Sequence, residues 1–417
     1  MGRLASNAEP NPRIARLLAL LLPPAFALYG TFNGVQQIVL PLQVEHIDPT
    51  GKVGHLALIV TICSIASIVG LGSGGALSDA TRSRFGRRTP WLAGMAVASA
   101  ALLVVMARQT SLVVIVAVSA ILWFALNFFQ AALLAVIPDR VPASRRAMAS
   151  WLFGFAGPIG ALIGINMCAF ASLRGGYAAL AIFLVLATAV FVVFAREGQY
   201  APSATTSPSR AKGSLLNAAT RFAESFSSRD FALAFTARAL LFLGQFTVLG
   251  YLLYALQDYV GVPSLPDHSP QVAAGLVNTI RTVASMAALA LAGWFMQLTN
   301  RRKVFLQIYA GMTAAAFIVP IVSSTWTGML IFSVLSGAAY GVFASVDLAI
   351  MSHVLPARDS AGRDIGLLAV AGAAPQLLAP GLGGMLIHNF GYTTLFAFGA
   401  FVTLFVGAVS VFIRGLE

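Results

Sequence analysis

Runs of about twenty apolar residues, separated by short polar stretches, fill this chain almost from end to end, and about twenty residues is what an α-helix needs to cross the hydrocarbon core of a bilayer. A backbone in that medium finds no water, so each run must satisfy its own hydrogen bonds as a helix. The runs fall at 17–42, 54–77, 91–107, 111–137, 149–172 and 176–195, and again at 231–256, 271–297, 304–322, 326–352, 365–388 and 391–413. Composition agrees: 58% of the 417 residues are hydrophobic and 10% are charged, where a soluble chain carries about a quarter charged. The expected fold is an all-α membrane protein of twelve transmembrane helices in two pseudo-symmetric six-helix halves.

A net charge of +12 raises the question of nucleic acid, and its distribution answers it. Of the 26 Lys and Arg, 21 fall on one side of the twelve-span topology, three in loops of the other side (Lys52, Arg108, Arg174) and two inside spans (Arg238, Arg281). That asymmetry is the positive-inside bias of a multi-pass protein of the cytoplasmic membrane, with both termini cytoplasmic, and not a nucleic-acid stripe. Cys63 and Cys168 lie in apolar runs and read as packing residues. The first apolar run is too long for a signal-peptide core and stays as the first span.

The longest polar interruption of the first half runs from Gly75 to Trp91 and reads G-A-L-S-D-A-T-R-S-R-F-G-R-R-T-P-W. It resembles the loop between helices 2 and 3 of the major facilitator superfamily, usually G-x-L-x-D-R-x-G-R-R, with four extra residues between Asp79 and Gly86 and with Ala80 where an arginine is common. The longer form is similar to that of the glycoside-pentoside-hexuronide cation symporters and the sucrose-type transporters. The resemblance implies a cytoplasmic gate built from Gly75, Asp79, Gly86, Arg87 and Arg88.

The halves echo one another. Gly75 to Asp79 with Arg87 and Arg88 corresponds to Gly293 to Gln297 with Arg301 and Arg302; Gly157, Pro158, Gly160 and Gly164 correspond to Ala374, Pro375, Pro380 and Gly381; Val141-Pro142 corresponds to Leu355-Pro356. Residues 1–196 form the first half, 231–417 the second, and 197–230 a polar cytoplasmic linker. Within the linker Leu215, Ala219, Phe222 and Phe226 recur at helical spacing, as a surface amphipathic helix or one packed under the protein would have them.

Asp347 is the one acid of fourteen inside a span, and Arg238 and Arg281 are the two internal bases. A charge there costs about 3 kcal/mol on insertion scales, so it faces a partner or a cavity. Asp347 and Arg238 each stand about 12 Å of helix rise from the same membrane face, so they can form an ion pair; alternatively Asp347 carries a coupling proton. Polar stripes at helical spacing outline a cavity: Tyr29, Asn33, Gln36 and Gln37 on span one, Asn127 and Gln130 on span four, Gln245, Tyr251 and Tyr254 on span seven, Asn278 and Arg281 on span eight, Tyr340 on span ten. Amides can equally serve as glue between helices. In the family resembled, spans one, four, seven and ten line the central path. Amides and phenols with few charges suit a neutral polyhydroxylated ligand, whereas an unpaired Arg281 suits a carboxylate.

His46, His55, His268, His353 and His388 form no ligand-spaced pair, and no phosphate loop, nucleophile elbow or H-E-x-x-H occurs. No enzyme activity, cofactor or metal is expected. The Gly157-Pro158 region resembles the signature of proton-driven exporters but has Phe153 and Ala161 where that signature has glycine. The reading is a monomeric secondary transporter of a small polar solute, a sugar or glycoside, coupled to a proton or other cation. The alternatives are a proton-coupled exporter of drugs or metabolites and a non-transporting sensor on the same scaffold. Impermeant thiol reagents applied to intact cells should label a single cysteine at Asp267 and miss one at Arg87; the reverse pattern would invert the topology.

Overall fold

The computed structural model describes residues 12–195, 229–299, 302–353 and 361–410, with the side chains of 12, 13, 143, 147, 230, 297–299, 302, 303, 346–353, 361–370, 373 and 410 outside that description. The linker reading at 197–228 therefore lies outside the described residues. Helices account for every apolar run. α1 (Pro12–Gly34) continues through a π-helical turn (Val35–Val39) into Leu40–Ile47. α2 (Lys52–Ala80), α3 (Thr89–Met106), α4 (Leu112–Arg140), α5 (Arg146–Ala169) and α6 (Leu173–Phe194) follow. After the linker come α7 (Arg229–Leu249), α8 (Pro270–Thr299), α9 (Arg302–Val322) and α10 (Trp326–His353). The final helix, Ala361–Ser410, is broken at Gly391, whose φ of 80° no right-handed helix permits, into α11 (361–390) and α12 (392–410). Among the described residues eleven continuous helices are long and apolar enough to cross a membrane; the break divides the last, and the spans are twelve.

Among the boundaries that differ from the sequence expectation, two bear on the polar interior. α1 runs on to Ile47, five residues past the expected end, because its polar Gln43 is buried and bonded. Its amide donates to the Met106 and Gln109 carbonyls at 2.7 and 3.0 Å and its oxygen accepts from the Tyr177 hydroxyl at 2.6 Å. α7 stops at Leu249 instead of running to 256: Gly250 and Tyr251 interrupt it, and the chain resumes as Leu252–Tyr254 and a π-helical stretch, Ala255–Gly261.

The described residues form two compact units, 12–43 with 62–195, and 44–61 with everything from 229 onward. In the first, α1 packs on α5 and α6, and α3 on α4 and α6. In the second, α8 packs on α10, α7 on α11 and α12, and α9 on α10 and α12. Small residues set these approaches, as they do where lipid gives no hydrophobic drive for helices to associate. A Cβ on Gly160 would lie 2.6 Å from the Phe26 carbonyl oxygen, one on Gly74 2.7 Å from that of Phe128, and one on Gly164 would overlap the Gly30 carbonyl. Gly337 and Gly341 of α10 meet the Arg281 and Ser285 carbonyls of α8 just as closely. Large apolar side chains on the far faces stay exposed, among them Val113, Ile68 and Phe401, which places those faces against lipid tails.

The turn between α1 and α2 is held by Asp48. Its carboxylate accepts from the Gly51 amide (3.0 Å) and the Thr50 hydroxyl (2.7 Å) and meets His55 Nε2 (3.0 Å), and these partners hold it down at about 2. The pKa is depressed on folding, so the stabilisation is present above about pH 4 and lost as pH falls through about 2.

Gly164→Ala should lower stability by about 1–3 kcal/mol through overpacking against Gly30, read as a fall in the melting temperature of purified protein. Gly94→Ala, with nothing within 4 Å of the new methyl, should be neutral or stabilising by up to about 1 kcal/mol. Equal responses would show that the α1–α5 seam tolerates separation.

Candidate functional site

The polar stripe of α1 is internally bonded and reaches α4. Asn33 donates to the Tyr29 carbonyl at 2.8 Å, Gln37 donates to Asn33 Oδ1 at 2.8 Å, and Gln130 of α4 donates to the Tyr29 hydroxyl at 3.4 Å. Asn127 bonds the Ser67 hydroxyl of α2 and the Trp123 carbonyl, both at 2.9 Å. Gln37 Oε1 is buried with no donor among the described residues. Gln36 and Gln37 both sit in the π-helical turn of α1, the wide backbone register that recurs where helices do chemistry or bind ligands. The segment after α7 has its own π-helical stretch, Ala255–Gly261, which carries Gln257. Sequence reading missed this repeat; the nearest signal was the amide spacing itself.

In the second unit, Gln245 is buried on α7. The Tyr251 hydroxyl donates to the Pro380 carbonyl of α11 at 2.6 Å, and the buried Tyr254 ring lies beneath Lys52 Nζ, 4.8 Å from its centroid. Asn278 donates to the Ala274 carbonyl of its own helix at 2.9 Å. Arg238 stands over the Phe242 ring, 5.2 Å from its centroid. Arg281 lies on α8 and Tyr340 on α10, the two helices that Gly337 and Gly341 bring together. Asp347 lies on α10, its side chain outside the description, so the expected pairing with Arg238 falls outside the described residues too.

The arginine-rich loop is clasped by a residue that sequence reading passed over. Asp139, at the end of α4, accepts from Arg88 Nε at 2.9 Å, from Arg87 Nε at 3.1 Å and from Arg87 Nη2. Arg88, only 4% exposed at its side chain, also donates to Ser78 and Asp79. Asp79 itself is 59% exposed. Gly86 turns the chain with φ 91°, and Trp91 Nε1 donates to the Thr81 hydroxyl at 2.7 Å. Gly75 has open space around its Cβ position. The signal for Asp139 was present in Val-Ile-Pro-Asp-Arg, an acid at a span end opposite two arginines.

A second knot was also missed, having been read as a loop lysine. Lys52, 10% exposed at its side chain, bonds Glu45 at 2.9 Å and Asp258 at 2.7 Å; Asp258 accepts from the Tyr392 hydroxyl at 2.7 Å, and Gln257 donates to Glu45. The end of α1 and the start of α2 are thereby tied to the π-helical stretch after α7 and to α12. Among the described residues no three His, Cys, Asp or Glu side chains converge as metal ligands would. A recess of about 430 Å³ beside Arg16, Arg140 and Ala195 lies away from both polar stripes.

A sequence model described as Major Facilitator Superfamily matches residues 22–267 and 240–417. The chain belongs to the major facilitator superfamily. It is a transporter and not an enzyme, an integral multi-pass membrane protein built for small solutes. Among solved structures it is similar to an aspartate-to-alanine variant of the nucleoside transporter NupG, at 14% identity and TM-score 0.72 over 95% of this chain and all of that one. It is also similar to the peptide transporter POT in complex with sulfate, at 13% identity and TM-score 0.69 over 95% and 93% of the two chains. At such identity the likeness speaks for the facilitator fold alone. No curated protein matches the chain in sequence.

Asp139→Asn should cost more than Asp79→Asn. The first removes the charge of a mostly buried carboxylate that accepts from both Arg87 and Arg88, a loss of about 2–4 kcal/mol between the values for exposed and buried pairs. The second removes an exposed partner, worth under about 1 kcal/mol. Melting of the two purified variants decides, and the reverse order would return Asp79 to the centre of the loop.

Proposed function

We propose that this facilitator moves a small polar solute, a sugar or glycoside, coupled to a proton or another cation, from a cytoplasmic-membrane location with both termini inside, as a monomer. The observation that carries the reading is the α1 stripe. Tyr29, Asn33, Gln37 and Gln130 form one connected row of neutral donors and acceptors, and its buried Gln37 Oε1 still needs a donor. In a span a polar row of this kind is costly unless something polar completes it, and hydroxyl groups complete amides and phenols without bringing charge. The linked motifs at Gly75–Trp91, similar to those of cation-coupled sugar porters, point the same way.

Counterflow of radiolabelled sugars in proteoliposomes tests the reading: a porter exchanges labelled for unlabelled sugar, and a sensor binds without exchange. Asp347 separates two couplings. If it pairs with Arg238, Asp347→Asn should cost about 3–5 kcal/mol, as a buried pair broken on one side does, and Asp347→Asn with Arg238→Gln should recover stability relative to either single change. If it carries the coupling proton, Asp347→Asn should lose pH-driven accumulation and keep counterflow. A double variant no better than the worse single sinks the pair.

A further inference from the structure

Inside the spans of the second unit two arginines face one acid in sequence, and the structure distinguishes the arginines. Arg238 lies over an aromatic ring with its guanidinium reaching α11 at Gly372, 3.6 Å from that residue's Cβ position. A buried Nε is common to both arginines; what sets Arg281 apart is that its guanidinium has no ion pair or hydrogen bond among the described residues. Its backbone cannot drift to find one, because Gly337 of α10 packs directly on the Arg281 carbonyl and Gly341 on that of Ser285. The polar neighbours on the same seam direct their hydrogens into their own helices: Asn278 to Ala274 at 2.9 Å, Ser285 to Thr282 at 2.8 Å, Ser333 to Met329 at 2.6 Å.

A guanidinium stays charged in any protein setting. Held in a bilayer span by a rigid helix seam, with a donor unsatisfied, it is a fixed positive charge awaiting an anion. Tyr340 lies on the neighbouring helix, one helical turn along from the Gly337 that packs on Arg281, and its hydroxyl is a neutral donor. The planar fork of an arginine meets a carboxylate with two parallel N–H···O bonds, and one positive charge balances one negative.

We propose that Arg281 anchors a carboxylate on the transported solute, with Tyr340 as second donor. This rests on the transport reading and names the chemical class of its substrate within it: a small hydroxylated monocarboxylate, a sugar acid for example. Arg281 is then a binding residue, and a strictly neutral sugar would leave it unsatisfied.

The test uses the purified full chain in detergent, melted with acetate, lactate, gluconate and benzoate at millimolar concentration, each against its primary amide. At least one carboxylate should raise the melting temperature of the wild-type protein by several degrees more than its amide does. Arg281→Gln should melt no lower than wild type without ligand, since a lone charge is removed, and should lose that difference. Tyr340→Phe, which leaves the charge in place, should bind the same carboxylate about tenfold more weakly. The proposal is overturned if no carboxylate exceeds its amide, or if the difference survives in Arg281→Gln. Carboxylate protection without exchange in proteoliposomes would refute transport and keep the anion site. Sugar counterflow that is unaltered by Arg281→Gln, with no carboxylate protection, would refute the anion site and keep transport.

Discussion

Backbone touches backbone where α1 crosses α5: Gly30 and Gly164 leave no room for even a methyl group between them. In lipid, apolar side chains gain nothing by leaving one hydrocarbon surface for another, so helices associate by close packing and by the few polar contacts that closeness permits. The Gln130 to Tyr29 bond, the Asn127 to Ser67 bond and the fixed position of Arg281 all depend on glycine seams of this kind. The seams recur in both units, at Gly160 and Gly164 in one and at Gly337 and Gly341 in the other.

On that rigid frame, polar groups divide into those that hold the protein together and those that remain available. Gln43, buried inside the first unit, has its bonds completed by Tyr177 and two carbonyls at the end of α3. Arg88 and Lys52 are each held between two carboxylates near a loop. Gln37 and Arg281 keep a buried polar atom without a partner among the described residues. A bilayer makes such atoms expensive, which is why a row of neutral polar groups in one unit and a bare guanidinium in the other mark candidate solute contacts. The π-helical turns that follow α1 and α7 add a second sign, since each widens the backbone at a glutamine.

Several elements resisted sequence reading for identifiable reasons. The break in α7 follows Leu249 in a region as apolar as its flanks, so hydropathy gave no warning. An acid at a span end is ordinary, and the importance of Asp139 comes from the loop before α3 returning to the same spot, which puts Arg87 and Arg88 on it from 52 and 51 positions away. Lys52 looked like a solvated loop residue, and only the folded chain surrounds it with Glu45, Asp258 and Tyr254.

By itself the sequence determined the solvent of this protein, the number of spans, the family and the polar faces of single helices, because each of these depends on the local period and composition of one segment in lipid. Tertiary structure alone decided which polar groups are satisfied and which are left over. Hydrogen bonds and ion pairs are effective only within about 3–4 Å, and that distance is set by how helices far apart in the chain cross, a quantity that no single segment contains.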